Sequence, residues 1–245
     1  MLPYKIKFWL LIFPAFGFLA SLAISGCTSS RNDADQPSQR ILPVTLSREV
    51  RDIDSNLYHT VKIGRQEWLV ENLKVTRYQN GDPIPNVQNA MQWRGKRVGA
   101  YCNYDNDPVY SITYGRLYNW YAVADNRNIC PKGWHVPSDE EWFELTAFLG
   151  GESIAGGKLK EAGLNHWSFP NYGATNESGF QALPGGYRGN MGRFQILDDY
   201  SFYWTTSSYD AASAWSRFLQ NDYAGISRIE NFKTFGFSVR CLKDR

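Results

Sequence analysis

The stretch Pro137-Ser138-Asp139-Glu140-Glu141-Trp142 marks the start of a helix near the middle of the 245-residue chain. Ser138 is of the type that caps helix N-termini, and Glu141 stands three residues later, where its carboxylate completes a capping box. Acidic residues in this first turn also suit the positive end of the helix dipole. A stripe of apolar residues at helical spacing follows, and Gly150-Gly151 ends the helix. The stripe consists of Trp142, Leu145 and Leu149.

Two weaker helical patterns flank this helix. Upstream, apolar residues repeat at helical spacing between Gly115 and Ala124, which predicts a first amphipathic helix. Downstream, residues 154–162 repeat less regularly and are interrupted by Gly156-Gly157. Each glycine costs up to about 1 kcal/mol inside a helix. The downstream pattern therefore predicts a helix that is short or kinked.

Segments on both sides of the helices alternate as half-buried strands do. Residues 56–63 alternate, turn at Gly64-Arg65-Gln66 and continue over 67–70, which predicts a β-hairpin that opens the domain. The order of strands, helices and strands predicts an α+β domain over residues 50–245. Three alternating segments near the C-terminus predict further strands: Phe202 with Trp204; Trp215 with Arg217 and Leu219; and Phe237 with Val239 and Cys241.

The first 26 residues have the pattern of an export signal. Lys5 and Lys7 precede an apolar segment from Phe8 to Ile24, and Ile24-Ser25-Gly26-Cys27 resembles the lipobox of bacterial lipoproteins. Residues 1–26 are therefore expected to be a cleaved signal peptide, and Cys27 to carry acyl chains such as palmitate that anchor the protein to a membrane. The alternative is a retained transmembrane helix, which the short apolar segment and its proline disfavour.

Residues 27–49 are predicted to form a flexible tether. From Thr28 to Gln39 the chain is polar apart from Ala34, so this part of the tether has almost nothing to bury. Thr28 is not an Asp, the residue that signals inner-membrane retention in some lineages. We therefore expect a lipid-anchored protein of the cell envelope, located at the outer membrane.

Charge and composition exclude several classes of protein. Without Lys5 and Lys7 the exported chain has 24 basic and 24 acidic residues, so it is formally neutral and contains no cluster of five or more basic residues. Nucleic-acid binding is therefore not expected. The aromatic content of 16% argues against disorder and against a coiled coil. A compact, aromatic-rich domain is expected instead.

Five ordered motifs and an opening segment from Asp52 to Leu73 resemble the Fibrobacter succinogenes major paralogous domain. The resemblance extends over about residues 50 to 243. The five motifs are Tyr114-Gly115-Arg116-Leu117-Tyr118-Asn119-Trp120-Tyr121-Ala122, Cys130-Pro131-Lys132-Gly133-Trp134-His135-Val136-Pro137-Ser138, Asn176-Glu177-Ser178-Gly179-Phe180, Leu183-Pro184-Gly185-Gly186-Tyr187-Arg188 and Gly236-Phe237-Ser238-Val239-Arg240-Cys241.

More distantly, the segment from Gly133 to Trp142 and the closing Gly236-Phe237 resemble the C-type-lectin-like fold of formylglycine-generating enzymes. This resemblance implies two central helices, with mixed or antiparallel strands at both ends and the terminal strands side by side. The Fibrobacter family is characterised chiefly as a domain of secreted or surface lipoproteins without an established reaction. The resemblance therefore implies a fold more than an activity.

With Cys27 assigned to lipid, Cys102, Cys130 and Cys241 remain, and they permit three single bridges. C-type-lectin-like domains commonly tie the helical region to the last strand, so the resemblance implies a disulfide between Cys130 and Cys241. The alternative is that all three are buried thiols. Cys102 could be an isolated nucleophile, but a buried or unpaired thiol is expected. The catalytic thiol pair of formylglycine-generating enzymes would need two accessible cysteines in the C-terminal half. It is not expected here.

No metal or cofactor is expected. His59, His135 and His166 lack the spacing of a metal site, and a structural or surface role is expected for each. Calcium-dependent lectins coordinate calcium through acidic and amide oxygens, whereas Trp204-Thr205-Thr206, the nearest match to their tripeptide, offers only hydroxyls.

The surface between Tyr200 and Arg228 is the predicted ligand-binding region, because it mixes aromatic rings with amide and guanidinium donors. An alternative for the two tryptophans is that they are core residues of strands. The predicted ligand-binding residues are Trp204, Tyr209, Trp215, Arg217, Asn221, Tyr223 and Arg228. The leading hypothesis is a lipoprotein whose domain binds a glycan or a partner protein and is not an enzyme. The competing hypotheses are an enzyme remotely related to formylglycine-generating enzymes and a structural component of the envelope.

Overall fold

The computed structural model describes residues 48–245. The predicted signal peptide, the lipidated Cys27 and nearly all of the predicted tether lie outside the described residues. At the end of that tether, Glu49 already begins a strand. None of the helices in the described part has the length and apolar character needed to cross a membrane.

The capped helix forms as its sequence predicts. It spans Asp139–Phe148, and the Ser138 hydroxyl accepts a hydrogen bond from the Glu141 backbone N–H while the Glu141 carboxylate accepts one from the Ser138 N–H. Trp142 and Leu145 are buried, and Gly150 and Gly151 follow with positive φ. This helix, the fourth α-helix of the described residues (α4), therefore starts and ends at local sequence signals.

The next helix, α5, spans Glu152–Leu159 and is short, as predicted. Gly156 and Gly157 lie inside the helix, which continues through both of them. A Cβ atom on Gly156 would lie 1.8 Å from the carbonyl oxygen of Gly225, and one on Gly157 would lie 2.2 Å from that of Gly173. The glycines are inside the helix because two loop backbones pack directly against it.

The helix predicted between Gly115 and Ala124 is confirmed only for its last part, and the prediction is wrong for the first part. Leu117–Tyr118 forms strand β5, and only Trp120–Val123 forms a short helix, α3. Tyr118 exchanges backbone hydrogen bonds with Phe237, and the Asn119 side chain caps α3. A backbone pairing with a segment more than a hundred residues away therefore overrides the local helical spacing.

Two antiparallel sheets organise the domain. The five-stranded sheet has the order β1-β2-β3-β12-β6, and the three-stranded sheet has the order β11-β10-β9. The predicted opening hairpin is confirmed as β2 and β3, and the last strand, β12, pairs with β3, so strands from the two ends of the domain lie side by side. The five-stranded sheet consists of β1 (Glu49–Arg51), β2 (Leu57–Ile63), β3 (Gln66–Leu69), β6 (Trp134–His135) and β12 (Leu242–Lys243). The three-stranded sheet consists of β9 (Tyr200–Ser208), β10 (Ser213–Gln220) and β11 (Ser227–Phe232).

Shorter elements connect these sheets and helices. They are α1 (Ala90–Trp93), β4 (Tyr101–Cys102), a 3-10 turn at Tyr104–Asn106, α2 (Pro108–Tyr114), β7 (Tyr187–Arg188) and β8 (Phe194–Gln195). β4 pairs with β5, and β7 pairs with β8. The described domain is therefore α+β, with two central helices and mostly β-structure.

The C-terminal segment departs from the predicted alternation. Phe237, Val239 and Cys241 are buried, but so are the residues between them, and the strand at this end is β12 rather than residues 237–241. Ser238 bridges to Tyr203 on one side, and Phe237 bridges to Tyr118 on the other. Other segments pack against both sides of residues 237–241, so none of these side chains is exposed.

The disulfide implied by the resemblance is confirmed. Cys130 and Cys241 are bonded across a sequence separation of 111 residues. In the chain-entropy model such a loop stabilises the folded state by up to about 4 to 5 kcal/mol. The bond fixes the segment before β6 to the end of the chain. Cys102 is a buried free thiol.

Candidate ligand-binding site

The three-stranded sheet has two faces of different character. Because strand side chains alternate, Arg217 lies on one face opposite Tyr203 and Arg228, whereas Phe218 lies on the other opposite Phe202 and Ser227. We call the first face the helix face, because it packs against α4, and the second the cleft face. The helix face consists of Tyr203, Thr205, Trp215, Arg217, Leu219, Arg228 and Glu230, and the cleft face of Tyr200, Phe202, Trp204, Ser216, Phe218, Gln220, Ile229 and Asn231.

The cleft face borders an open pocket of about 370 Å³, which we call the aromatic cleft. Segments that flank the sheet complete its walls: the loop before β9 and the chain after β11. The cleft is lined by Tyr187, Ile196, Tyr200, Phe202, Phe218, Gln220, Ile229, Asn231, Phe235 and Phe237. Its volume lies within the range of about 300 to 1,000 Å³ that is typical of small-molecule sites.

The rings of the aromatic cleft support one another. The Phe202 ring lies 6.0 Å from that of Tyr200, 5.3 Å from that of Phe218 and 4.8 Å from that of Phe237, with interplanar angles of 12° to 23°. The Tyr187 ring stacks on Phe235 at 5.6 Å. Phe237 is fully buried, whereas the others are partly exposed. The stack therefore has a buried base and open upper faces.

A few polar groups project into this apolar cleft. The Gln220 amide donates to Asp222, and the Asn231 amide donates to the Ser216 hydroxyl, so their side-chain oxygens remain available as acceptors. The Tyr187 hydroxyl donates to Gln195, and burial raises its pKa, so it stays protonated. Within the described residues, the Tyr200 hydroxyl has no hydrogen-bond partner. The cleft thus offers stacking surfaces with hydrogen-bonding groups at its edges.

The helix face is closed by ion pairs. The Arg217 guanidinium lies 2.8 Å from the Asp139 carboxylate at the start of α4 and 3.7 Å from that of Glu152. Arg228 binds the same Asp139 carboxylate at 2.8 Å, and its guanidinium covers the Trp215 ring at 3.2 Å. Arg217 is only 1% exposed, and burial lowers its pKa. These charges fasten the sheet to α4.

The seven predicted ligand-binding residues do not form one site. Two of the seven, Trp204 and Arg217, are buried. Trp204 is fully buried and donates its indole N–H to the Tyr118 carbonyl. The alternative interpretation of Trp204 as a core residue of a strand is therefore confirmed. Arg217 is buried against Asp139. Both assignments to a ligand-binding surface are corrected, because long-range packing covers these side chains.

The other five predicted residues remain partly or fully accessible but do not line the aromatic cleft. Tyr209 is 54% exposed and stands edge-on to Trp215, beside Arg228, so these three form one cluster at the helix face. Asn221 and Tyr223 follow β10 in a loop instead. The Asn221 amide donates to the carbonyl of Phe169, which lies in the segment between α5 and β7.

A buried lysine holds this loop. The Lys160 ammonium donates to the carbonyls of Tyr172, Gln220 and Tyr223. Burial lowers its pKa to about 8, because no carboxylate faces it at hydrogen-bond distance among the described residues. The position of Tyr223 is therefore set by a structural cation beneath the loop.

The thiol and imidazole groups have structural surroundings. Burial raises the pKa of the Cys102 thiol to about 12, which makes it a poor nucleophile near neutral pH. His59 pairs with Glu71, His166 pairs with Glu161, and His135 lies between Glu141 and Asp244. In the part of the chain that the structure describes, no group of three or more His, Cys, Asp or Glu side chains is placed to hold a metal ion.

The sequence pattern identified two wall residues of the aromatic cleft, Phe202 and Phe237, but only as strand residues. Tyr200 and Phe218 were missed, although Tyr200 has the same strand parity as Phe202. Tyr187 and Phe235 come from segments that no local pattern joins to the sheet. The parity of β9 could have found Tyr200, but the pairing of β9 with β10 is needed to find Phe218.

Two of the three arginines in the motifs that carry the family resemblance, Arg188 and Arg240, are buried structural residues. Arg188 is fully buried, donates to three carbonyls and lies between the rings of Trp93 and Phe194. Arg240 is also buried and binds Asn72 and two carbonyls. A buried guanidinium that satisfies backbone carbonyls joins segments distant in sequence. These motif residues therefore specify the fold.

Comparison with known proteins gives one match. The family model described as the Fibrobacter succinogenes major domain matches residues 61–243. A search of curated proteins and a search of solved structures found no significant match. Because the family model covers most of the chain and includes the buried motif residues described above, the chain belongs to the Fibrobacter succinogenes major domain family.

Proposed function

We propose that this chain is a lipid-anchored lipoprotein of the bacterial cell envelope whose domain binds a glycan, without catalysis, in the aromatic cleft. The observation that carries the proposal is the aromatic cleft itself, about 370 Å³ in volume, where partly exposed rings stand beside two amides. Pyranose rings present C–H groups on their faces and hydroxyls at their edges. Aromatic faces carry partial negative charge and suit the former, and amide oxygens accept from the latter.

The lining of the aromatic cleft favours binding over chemistry. General acid–base and nucleophilic catalysis depend mostly on carboxylates, imidazoles, amines and thiols. None of these is among the described residues that line the cleft. The free thiol, Cys102, is buried elsewhere, and Cys130 and Cys241 are joined to each other. A thiol mechanism of the formylglycine-generating kind therefore has no free pair of cysteines among the described residues.

A C-type-lectin-like fold is part of the proposal. The pairing of β12 with β3 supports it, as do the two central helices α4 and α5 and the disulfide that ties the segment before β6 to the C-terminal segment. In such folds the region after the helices carries ligand-facing loops. The aromatic cleft is built from that region.

The anchor rests on the sequence of the leader. Lys5, Lys7, the apolar segment and Cys27 have the order of a lipoprotein signal, and the outer membrane is the proposed location. Mass spectrometry of the native protein should find a diacylated N-terminal Cys27, and Cys27→Ser should abolish that modification. An unmodified, uncleaved leader would overturn this part of the proposal.

The test of the aromatic cleft is a glycan array probed with the full chain in detergent micelles. Tyr200→Ala removes an exposed ring of the cleft, and it should weaken binding about tenfold, the effect of losing one good stacking contact. Tyr209→Ala is the matched control, because it deletes the same side chain from the helix face. Saturable binding that is lost in Tyr200→Ala and kept in Tyr209→Ala supports the proposal. Turnover of a glycan by the wild-type chain would overturn it.

A partner protein is the second candidate ligand. Tyr209, Trp215 and Arg228 form a packed, partly exposed cluster of the three residue types that dominate interface hot spots. Binding to envelope proteins that is lost in Tyr209→Ala and retained in Tyr200→Ala would favour this candidate. The same two variants therefore separate both candidate functions.

A further inference from the structure

We propose that a second cleft beside the aromatic cleft is an anion-binding subsite that receives a carboxylate of the same glycan, so that the ligand is an acidic polysaccharide. This inference rests on the proposed function and deepens it. The second cleft has a volume of about 450 Å³, and we call it the arginine cleft. Its principal lining residues are Arg94, Arg97, Tyr121, Asn190, Met191 and Phe232.

The two guanidinium groups of the arginine cleft are unpaired. Arg94 and Arg97 are exposed, and within the described residues neither side chain forms an ion pair or a hydrogen bond. Elsewhere on the surface, by contrast, Arg77, Arg127 and Arg228 each bind a carboxylate. The guanidinium fork matches a carboxylate geometrically, so two unpaired forks in one cleft favour an anionic ligand group.

The backbone that carries these arginines is well anchored. Arg94 directly follows α1, which the Asn89 side chain caps. Trp93 is fully buried beneath the cleft and donates its indole N–H to the Thr234 carbonyl. A fixed backbone reduces the entropy lost when a ligand binds.

A nearby lysine, Lys233, offsets the negative charge of the acidic residue next to the arginine cleft, Asp210. Asp210 precedes Ala211 and Ala212, which line the cleft, but its carboxylate accepts hydrogen bonds from the N–H groups of Ala212 and Ser213. The Lys233 ammonium lies nearby and adds positive charge while it donates to the Ser208 hydroxyl and to the Asp210 carbonyl. The local charge balance is therefore positive, although the exported chain as a whole is formally neutral.

The two clefts are neighbours. Asn231 and Phe235 line the aromatic cleft, whereas Phe232 and Thr234 line the arginine cleft, so one short segment forms the wall between them. The rings of Phe232 and Phe235 lie 6.3 Å apart, which is comparable to the length of one sugar unit. An oligosaccharide can therefore stack in the first cleft and place a carboxylate in the second.

The experiment compares two probes with the same sugar backbone: an oligogalacturonide and its fully methyl-esterified form. Binding to the full chain in detergent micelles is measured by titration calorimetry at two salt concentrations. The acidic probe should bind about fivefold to tenfold more tightly, as expected for one or two partly exposed charge-assisted contacts. The preference should shrink at high salt. The double variant Arg94→Gln/Arg97→Gln should remove the preference and leave binding of the ester unchanged.

The matched control is Lys62→Gln/Lys132→Gln, which removes the same net charge at exposed positions outside both clefts. An equal loss of preference in this control would show a non-specific charge effect and overturn the inference. So would wild-type binding that does not distinguish acid from ester. If the arginine variant matters but Tyr200→Ala does not, the joint site is wrong. If neither probe binds at millimolar concentration, the proposed glycan function and this inference fail together.

Discussion

The helix face and the cleft face belong to the same three strands, yet they bury their side chains in opposite ways. On the helix face, Arg217 and Arg228 converge on Asp139, so charge is neutralised and the sheet is fastened to α4. On the cleft face, Phe202 and Phe218 stack on each other and remain partly exposed. The partly exposed rings of the cleft face border an open pocket, whereas α4 packs against the helix face. Both faces contain aromatic residues, so what distinguishes the cleft face is the open pocket that its rings border.

Removal of the Arg217 side chain from the helix face should destabilise the protein more than the other substitutions. Arg217→Ala leaves Asp139 without its buried partner, and loss of a buried ion-pair partner costs about 3 kcal/mol or more. Urea unfolding of the full chain should therefore show a free energy of unfolding lower by about that amount. Glycan binding by the molecules that remain folded should be unchanged, because Arg217 points away from the aromatic cleft.

Arg228→Ala is the matched control for this prediction. Arg228 binds the same carboxylate, but its side chain is 37% exposed, so its loss should cost about 1 kcal/mol or less. Equal destabilisation by the two variants would show that burial does not distinguish them. The helix face would then be no more structural than an ordinary surface.

Some elements of the fold could be predicted from the sequence. The capping box at Ser138 and Glu141 and the opening hairpin were predictable, because each depends on residues a few positions apart. The disulfide was accessible only through the family resemblance. Local signals were thus sufficient for individual elements.

Burial on the two faces depends on contacts that no local pattern contains. Arg217 looks like an exposed donor until Asp139, 78 positions earlier, is placed beside it. Phe202 and Trp204 share one face, but only Trp204 is fully buried, because its indole reaches the Tyr118 carbonyl and packs on Phe237. The arginine cleft could not be predicted for a similar reason, because Arg94 and Arg97 line the same cleft as Phe232 only in the folded chain.

Two substitutions of Phe218 distinguish ring stacking from apolar packing on the cleft face. The Phe218 ring stacks between Tyr200 and Phe202. Phe218→Ala should lower the free energy of unfolding by about 2 kcal/mol, less than for a fully buried phenylalanine, and should abolish measurable glycan binding. Phe218→Leu keeps most of the apolar volume but lacks a flat ring.

For Phe218→Leu we therefore expect a loss of stability below about 1.5 kcal/mol but a clear loss of affinity. Thermal unfolding and the glycan titration measure the two effects on one sample. Wild-type affinity in the leucine variant would mean that the cleft recognises apolar volume only. The assignment of a sugar-stacking surface would then be wrong.

The free energy of unfolding should also depend weakly on pH, whereas the affinity for a glycan should not. At the start of α4, the hydrogen bond to Glu141 raises the pKa of His135 above 6.5. The hydrogen bond to Asp244 also raises this pKa, whereas burial acts to lower it. Burial acts to raise the pKa of Glu141, but hydrogen bonds from His135 and Ser138 prevail and lower it to about 2. Both shifts stabilise the folded state within particular pH ranges.

The His135 contribution is complete below its unfolded pKa of 6.5 and disappears as pH rises through the higher folded value. The Glu141 contribution is complete above its unfolded pKa of 4.5 and disappears as pH falls toward about 2. Together they favour the folded state most between these two unfolded values. Because both groups are partly exposed, the change on the alkaline side should be below about 1 kcal/mol. His135→Gln should flatten that side of the stability profile.

Affinity for a neutral glycan should stay constant over the same range, because the described lining of the aromatic cleft contains no imidazole or carboxylate. A parallel change in affinity would show that α4 and the cleft face are coupled through the sheet.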